Sequence, residues 1–257
     1  MRTILLSLLL SFNLSYAETP QEKGLRLAKL IDKANEDFKG DKSDMEMVLI
    51  NAYGQKVTRK MKSLAREGKG NVGSKSLMEF VHPQDVKGTK LLTWSYKEKD
   101  DDQWLYLPAM RRVKRISSEG KSASFMGSEF SYEDLRSQEV EKFTYKFLKV
   151  DELKGKKTWV IERKSKMESG YTKQIATYDQ ERKVALKVEY YDRKKELLKV
   201  AKSSDFKKFV VGDKELYRAS KIHMKNMQTK KESIMNWKDR KLGVNISERE
   251  LSLAALR

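Results

Sequence analysis

The chain of 257 residues predicts an α+β fold, an antiparallel sheet of many strands partly wrapped around helices. Three observations predict it. Strand-like stretches follow one another in hairpin order, capping boxes stand near both ends of the chain, and no Pro-rich or Gly-Ser linker separates them. The three prolines, Pro20, Pro83 and Pro108, are isolated and no internal repeat is present. A single domain over residues 18–257 is therefore expected, long enough to bury a substantial core.

The N-terminus precedes that domain. Arg2 leads into an apolar segment from Ile4 to Leu14, and Ser15-Tyr16-Ala17 has the small-x-small form of a cleavage site. Residues 1–17 are read as a signal peptide cleaved after Ala17. The apolar segment has 11 residues broken by Ser7, Ser11 and Asn13, well short of the roughly 20 that span a bilayer. The chain contains no cysteine, which excludes lipidation at a Cys, disulfides and thiolate metal sites. Loss of Arg2 with the leader lowers the formal charge from +18 to +17. Such a field favours anionic partners. Export argues against nucleic acid, leaving lipid head groups and acidic protein surfaces.

The first element is a helix. Thr19 and Glu22 make a capping box around Pro20, and Leu27, Ile31, Ala34 and Phe38 recur on one face before Gly40. Strands begin near Asp44, where Met45, Met47 and Leu49 alternate with Glu46, Val48 and Ile50. Tyr53-Gly54-Gln55 turns the chain into a strand from Lys56 to Leu64. Later, Phe143, Tyr145 and Phe147 alternate with polar residues, and Lys154-Gly155-Lys156 turns into Trp159 to Arg163. Val184, Leu186, Val188 and Tyr190 carry the clearest period of two. Ser247 with Glu250 caps a short C-terminal helix carrying Leu251, Ala254 and Ala255.

The stretch Gln103 to Leu135 reads unlike an ordinary core strand. Trp104, Leu105, Tyr106 and Leu107 form a β-prone run that Pro108 stops. Arg111, Arg112, Lys114 and Arg115 then surround Val113 and Ile116, as in a strand whose long cations reach solvent. A loop follows with Phe125, Met126 and Phe130, and Ser131 with Asp134 opens a short helix from about Tyr132.

This stretch resembles the hallmark of the bacterial LolA-like proteins, the outer-membrane lipoprotein-sorting family. Its signature has the form W-x-Y-L-P-A-hydrophobic-R-R-V-x-R-I-S, then S-F-M-G-S, an acidic residue and F-x-Y-E-D-L. Here it stands as Trp104 to Ser117, Ser124 to Ser128, Glu129 and Phe130 to Leu135. The resemblance implies an incomplete antiparallel β-barrel, a LolA-like half-barrel, with helices covering a hydrophobic cavity on its concave face. It also implies a periplasmic protein that binds lipid or lipoprotein acyl chains, with transient membrane contact. A 16-carbon chain buried at about 0.8 kcal/mol per CH₂ contributes on the order of ten kcal/mol, so capture needs no catalytic group and no cofactor.

Trp94, Trp104, Tyr106, Phe125 and Met126 are expected to line the cavity or its mouth. Arg111, Arg112, Lys114 and Arg115 are expected to dock on an anionic head group or an acidic partner. Gly127, Ser128, Glu129, Tyr132 and Asp134 form the signature loop. Outside this signature no family residue is carried over by position.

The chain carries few residues in catalytic patterns. His82 and His223 are the only histidines and form no zinc motif. No G-x-S-x-G elbow occurs. GKGNVGSKS over residues 68–76 has Ser74 where a P-loop needs lysine and reads as a hairpin turn. Asp100-Asp101-Asp102 lacks calcium-loop spacing and reads as a solvated turn. Three functions are compatible with these residues: a periplasmic carrier of acyl chains toward an outer-membrane receptor, an accessory subunit of an RND-type inner-membrane exporter, and, least supported, a hydrolase of envelope lipids.

Overall fold

The structure of the protein, a computed structural model, describes residues 17–70 and 72–256; of the signal peptide read over residues 1–17, residues 1–16 lie outside them. Helix α1 spans Pro20–Asn35. The predicted box starts it: the Thr19 amide donates to Glu22 Oε2 at 2.9 Å and the Glu22 amide to Thr19 Oγ1 at 3.2 Å. The helix ends before Phe38, and Gly40 opens the first strand.

Thirteen strands follow. The first six are β1 Gly40–Ile50, β2 Lys56–Arg66, β3 Val72–His82, β4 Lys90–Tyr96, β5 Asp102–Leu107 and β6 Arg112–Arg115. The rest are β7 Phe143–Leu153, β8 Lys156–Ser165, β9 Lys173–Asp179, β10 Ala185–Tyr191, β11 Leu197–Val211, β12 Lys214–Asn226 and β13 Glu232–Leu242. They form one open antiparallel sheet in the order β6-β5-β4-β3-β2-β1-β13-β12-β11-β10-β9-β8-β7. The first and last strands meet in its middle, where Met47 faces Met235. Consecutive strands β6 and β7 stand at opposite edges, so the segment joining them must cross a face of the sheet.

That face is the concave one. Period-two alternation places Met45, Met47, Met61, Met78, Met224 and Met235, on five neighbouring strands, in one buried cluster. The sheet curls far enough for Leu105 of β5 and Tyr190 of β10 to join it. The crossing segment supplies the filling: Ile116, Phe125, Phe130 and Tyr132 are buried against the methionines. Methionine suits this role because its unbranched side chain fills irregular gaps.

Helix α1 covers the other end of the concave face. Leu27 and Ala28 pack on Phe143, Tyr145 and Ile161. A Cβ on Gly24 would stand 2.8 Å from the Phe147 amide nitrogen, so glycine lets the helix lie directly on the β7 backbone. Across the cavity, the C-terminal end of the helix reaches β12, where Arg218 donates to Asn35 Oδ1 at 2.8 Å and to the Asn35 carbonyl at 3.0 Å.

Two expectations are corrected. The C-terminal capping box forms, with the Ser247 amide 2.8 Å from Glu250 Oε2, but it starts two 3₁₀ turns, Arg249–Leu251 and Leu253–Leu256, rather than a helix. These turns cover the convex face, so among the described residues α1 is the one α-helix over the concave side. In β10 the regular period breaks at a bulge between Ala185 and Lys187. Ala185, not Leu186, shares the concave face with Val188, because a bulge passes the alternation on by one residue.

Candidate functional site

The crossing segment is built from tight local turns. Phe125-Met126-Gly127-Ser128 closes with the Ser128 amide 3.0 Å from the Phe125 carbonyl. Its central residues, Met126 at φ 51 and Gly127 at φ 75, are both left-handed, as a type I′ turn requires, and glycine takes that conformation without strain. The turn buries Phe125 completely and half-buries Met126.

Charged residues of the signature hold this segment to the sheet. Lys199 of β11 donates to Asp134 Oδ2 at 2.6 Å and to the Glu129 carbonyl at 2.9 Å. Both side chains of the pair are at most 5% exposed. The other Asp134 oxygen accepts from the Tyr171 hydroxyl at 2.9 Å, and the Ser131 amide donates to Oδ2 at 2.7 Å. Glu129 accepts from Asn226 Nδ2 at 2.8 Å. Ser169 and the Gly170 amide bind Glu133 at 2.6 and 2.9 Å. The acidic residues of the signature are thus satisfied by β11, β12 and the loop that leads into β9.

The cationic strand stands apart from them. Arg111, Arg112, Lys114 and Arg115 are all exposed on the free edge of the sheet. Arg115 pairs with Asp102; among the described residues Arg111, Arg112 and Lys114 have no ion-pair partner. None of them braces the Glu129–Asp134 loop. Asp101 departs from the solvated turn expected for 100–102: its side chain is fully buried, paired with Lys142 and 3.6 Å from Arg136.

The five aromatic and apolar candidates fall into two groups. Phe125 and Met126 belong to the concave cluster. Trp94, Trp104 and Tyr106 belong instead to a convex cluster beneath Leu251 and Leu256. Trp94 Nε1 donates to the Leu251 carbonyl at 2.8 Å, and its ring meets Trp104 edge-on at 4.9 Å. These three therefore line no cavity on the concave side. In β5 the register that turns Leu105 inward turns its neighbours Trp104 and Tyr106 outward.

Filling of the concave face is incomplete under α1. A cavity of about 440 Å³ remains there, within the range of small-molecule sites. Val188, Ala201, Ile222 and Met224 form an apolar floor, Ala28 and Ile31 of the helix form the roof, and Phe130 of the signature closes one side. Tyr145 and Arg163 stand at the β7–β8 end, and Arg218 at the β12 end. Burial pushes the Tyr145 phenol upward. Burial, with Arg240 nearby, lowers Arg218 to about 10. A smaller, more polar space of about 250 Å³ shares Asp32, Asn35, Ser137 and Arg218 with the cavity and continues past Glu36, Glu67 and Glu139. Burial, reinforced by Glu36, Glu139 and Glu141, pushes the Asp32 carboxyl up to about 6. Among the described residues, no group of three or more His, Cys, Asp and Glu is placed to hold a metal ion.

Sequence reasoning missed the cavity walls. Arg163 was indistinguishable from the chain's many other cations, although its position opposite Tyr145 in the β7–β8 hairpin places it on the same face as the predicted aromatic alternation.

An open antiparallel half-barrel, with a crossing segment and a helix over an apolar concave face, defines the class. A family model described as an uncharacterized protein matches residues 73–257. The solved structure of an outer membrane lipoprotein-sorting protein domain from Vibrio parahaemolyticus is 40% identical, with 92% of this chain and 99% of that chain covered and a TM-score of 0.88. A DUF1329 family protein from Desulfovibrio piger is 29% identical over 93% of this chain and 100% of its own, with a TM-score of 0.86. A LolA superfamily protein from Nitrosomonas europaea, at 16% identity, covers 93% of this chain and 100% of its own and shares the fold at a TM-score of 0.70. No curated protein matches the chain. The chain belongs to the family of outer-membrane lipoprotein-sorting proteins and has a LolA-like fold.

Replacement of Lys199 by Met leaves the Asp134 carboxylate buried without its cation, and removal of one partner from a buried pair costs about 3–5 kcal/mol. Urea unfolding should show a loss of that size for Lys199→Met, against less than about 0.5 kcal/mol for the exposed Arg112→Gln. A loss below about 1 kcal/mol for Lys199→Met would show that the pair does not hold the segment.

Proposed function

We propose that this protein is a periplasmic carrier that takes an acyl chain of a lipoprotein or another lipid into the cavity beneath α1 and delivers it toward the outer membrane. The cavity floor carries the reading: Val188, Ala201, Ile222 and Met224 offer an adaptable apolar surface, roofed by a helix whose far end is held by hydrogen bonds rather than by a packed core. Apolar burial supplies the affinity, and release requires only that helix and sheet close again over the emptied space. Family membership supports the same reading. The leader read over residues 1–17 supports a periplasmic location for the carrier. No step of capture or release calls on a catalytic group, which weighs against the hydrolase reading.

Filling the floor tests this directly. Ala201 is 6% exposed and lines the cavity. In Ala201→Phe, binding of hexadecanoate, read by calorimetry below its critical micelle concentration, should weaken at least tenfold while circular dichroism reports an intact sheet. Unchanged binding by a folded variant would place the chain elsewhere.

A second reading, an accessory subunit of an RND-type inner-membrane exporter, is favoured by one observation. Short, exposed and cationic β6 offers a free strand edge with Arg111, Arg112 and Lys114 unpaired among the described residues. Docking there would use charge to steer and orient the encounter. A triple Arg111→Gln, Arg112→Gln, Arg115→Gln variant should fold normally and lose its hold on anionic vesicles or on the acidic partner. If it folds and retains both, the strand is not a docking site.

A further inference from the structure

One wall of the cavity carries chemistry that an acyl chain alone does not need. Arg163 of β8 lines the cavity and is 8% exposed. Its Nε donates to Gln174 Oε1 at 2.7 Å, and its guanidinium carbon lies 5.0 Å from the centre of the Phe143 ring. These contacts fix the plane of the group. Among the described residues, its two terminal nitrogens have no hydrogen-bond or ion-pair partner. A buried guanidinium without a carboxylate is costly, and its free donor pair matches the geometry of a carboxylate or phosphate.

The other charges around the cavity, Asp32 excepted, are already engaged. Asp134 is taken up by Lys199, Tyr171 and Ser131. Arg218 spends its donors on the Asn35 side chain and carbonyl and on the Tyr217 carbonyl. Lys183 donates to the Gln180 carbonyl. Asp32 stands on the helix, at the shared mouth of the two spaces.

From β8 to β12 the cavity crosses four strand spacings of about 4.8 Å, roughly 19 Å. Its apolar floor of Val188, Ala201, Ile222 and Met224 lies between the free cation at one end and the committed Arg218 at the other.

We infer that the cavity takes an amphiphile with an anionic end, a single acyl chain whose carboxylate or phosphate is held by Arg163 while the chain runs over the β10–β12 floor. This inference rests on the carrier reading and narrows its cargo. The head group would accept both terminal N–H donors of Arg163, and the cavity would discriminate by charge as well as by chain. A neutral amphiphile of equal length would leave the guanidinium unsatisfied and bind more weakly.

The test compares hexadecanoate, hexadecyl phosphate and methyl hexadecanoate, each titrated below its critical micelle concentration into the delipidated full-length protein. The two anionic amphiphiles should bind at least tenfold more tightly than the methyl ester, and the tighter of the two identifies the head-group class. Arg163→Gln should collapse that preference so that all three bind alike, whereas Arg163→Lys should keep part of it. Equal affinity of the wild-type protein for all three amphiphiles would overturn charge recognition while leaving the carrier intact. Failure of all three to bind would overturn the carrier reading and this inference with it. The wild-type comparison stands even if Arg163→Gln does not fold.

Discussion

The chain must cross from one edge of its sheet to the other between β6 and β7, and the rest of the structure depends on how residues 116–142 make that crossing. The crossing is fastened by the buried Lys199–Asp134 pair, whose remaining valences are met by Tyr171, Ser131 and the Glu129 carbonyl. A buried ion pair offers little net stability of its own because desolvation offsets attraction. Its effect is to specify position: only one placement of the segment satisfies every member, and that placement drops Phe125 onto the methionine face. The signature is therefore first a statement about folding, and its acidic residues serve the sheet rather than the neighbouring arginines.

The cavity exists because the crossing segment fills only part of the concave face. Over β1–β3 and β13 the methionines are covered by Phe125, Phe130 and Tyr132. Over β8–β12 the cover is α1, seated on β7 at Gly24 and tied to β12 through Asn35 and Arg218. A helix anchored at its two ends leaves space below its middle. Hydrogen bonds at the β12 end give it a fastening that can open without unpacking the core, a property a lid needs. The two sheet edges are managed differently: α1 packs against β7, while β6 is short and cationic, which discourages indiscriminate pairing.

Much of this was legible in the sequence. Thr19 with Glu22, Ser131 with Asp134 and Ser247 with Glu250 each bond as their spacing implied, because a capping box is local chemistry. Met45, Met47 and Leu49 share a face as alternation required. Which face became concave was not legible. Trp94, Trp104 and Tyr106 have the broad side chains of a cavity wall, yet they lie under the C-terminal turns, because a sheet apolar on both faces gives no local sign of its curvature. Leu186 was lost to a bulge, Asp101 to a long-range pair with Lys142, and Arg163 to the chain's abundance of cations. Each of these depends on a partner far away in sequence.

The central claim, that the space beneath α1 carries an amphiphile, is tested most directly by native mass spectrometry with lipid extraction on the protein purified without detergent from the cells that make it. The account predicts one acyl-bearing adduct per chain, and the extracted lipid names the cargo. A protein that is reproducibly empty under those conditions would contradict the carrier account and leave the cationic edge strand as the functional surface.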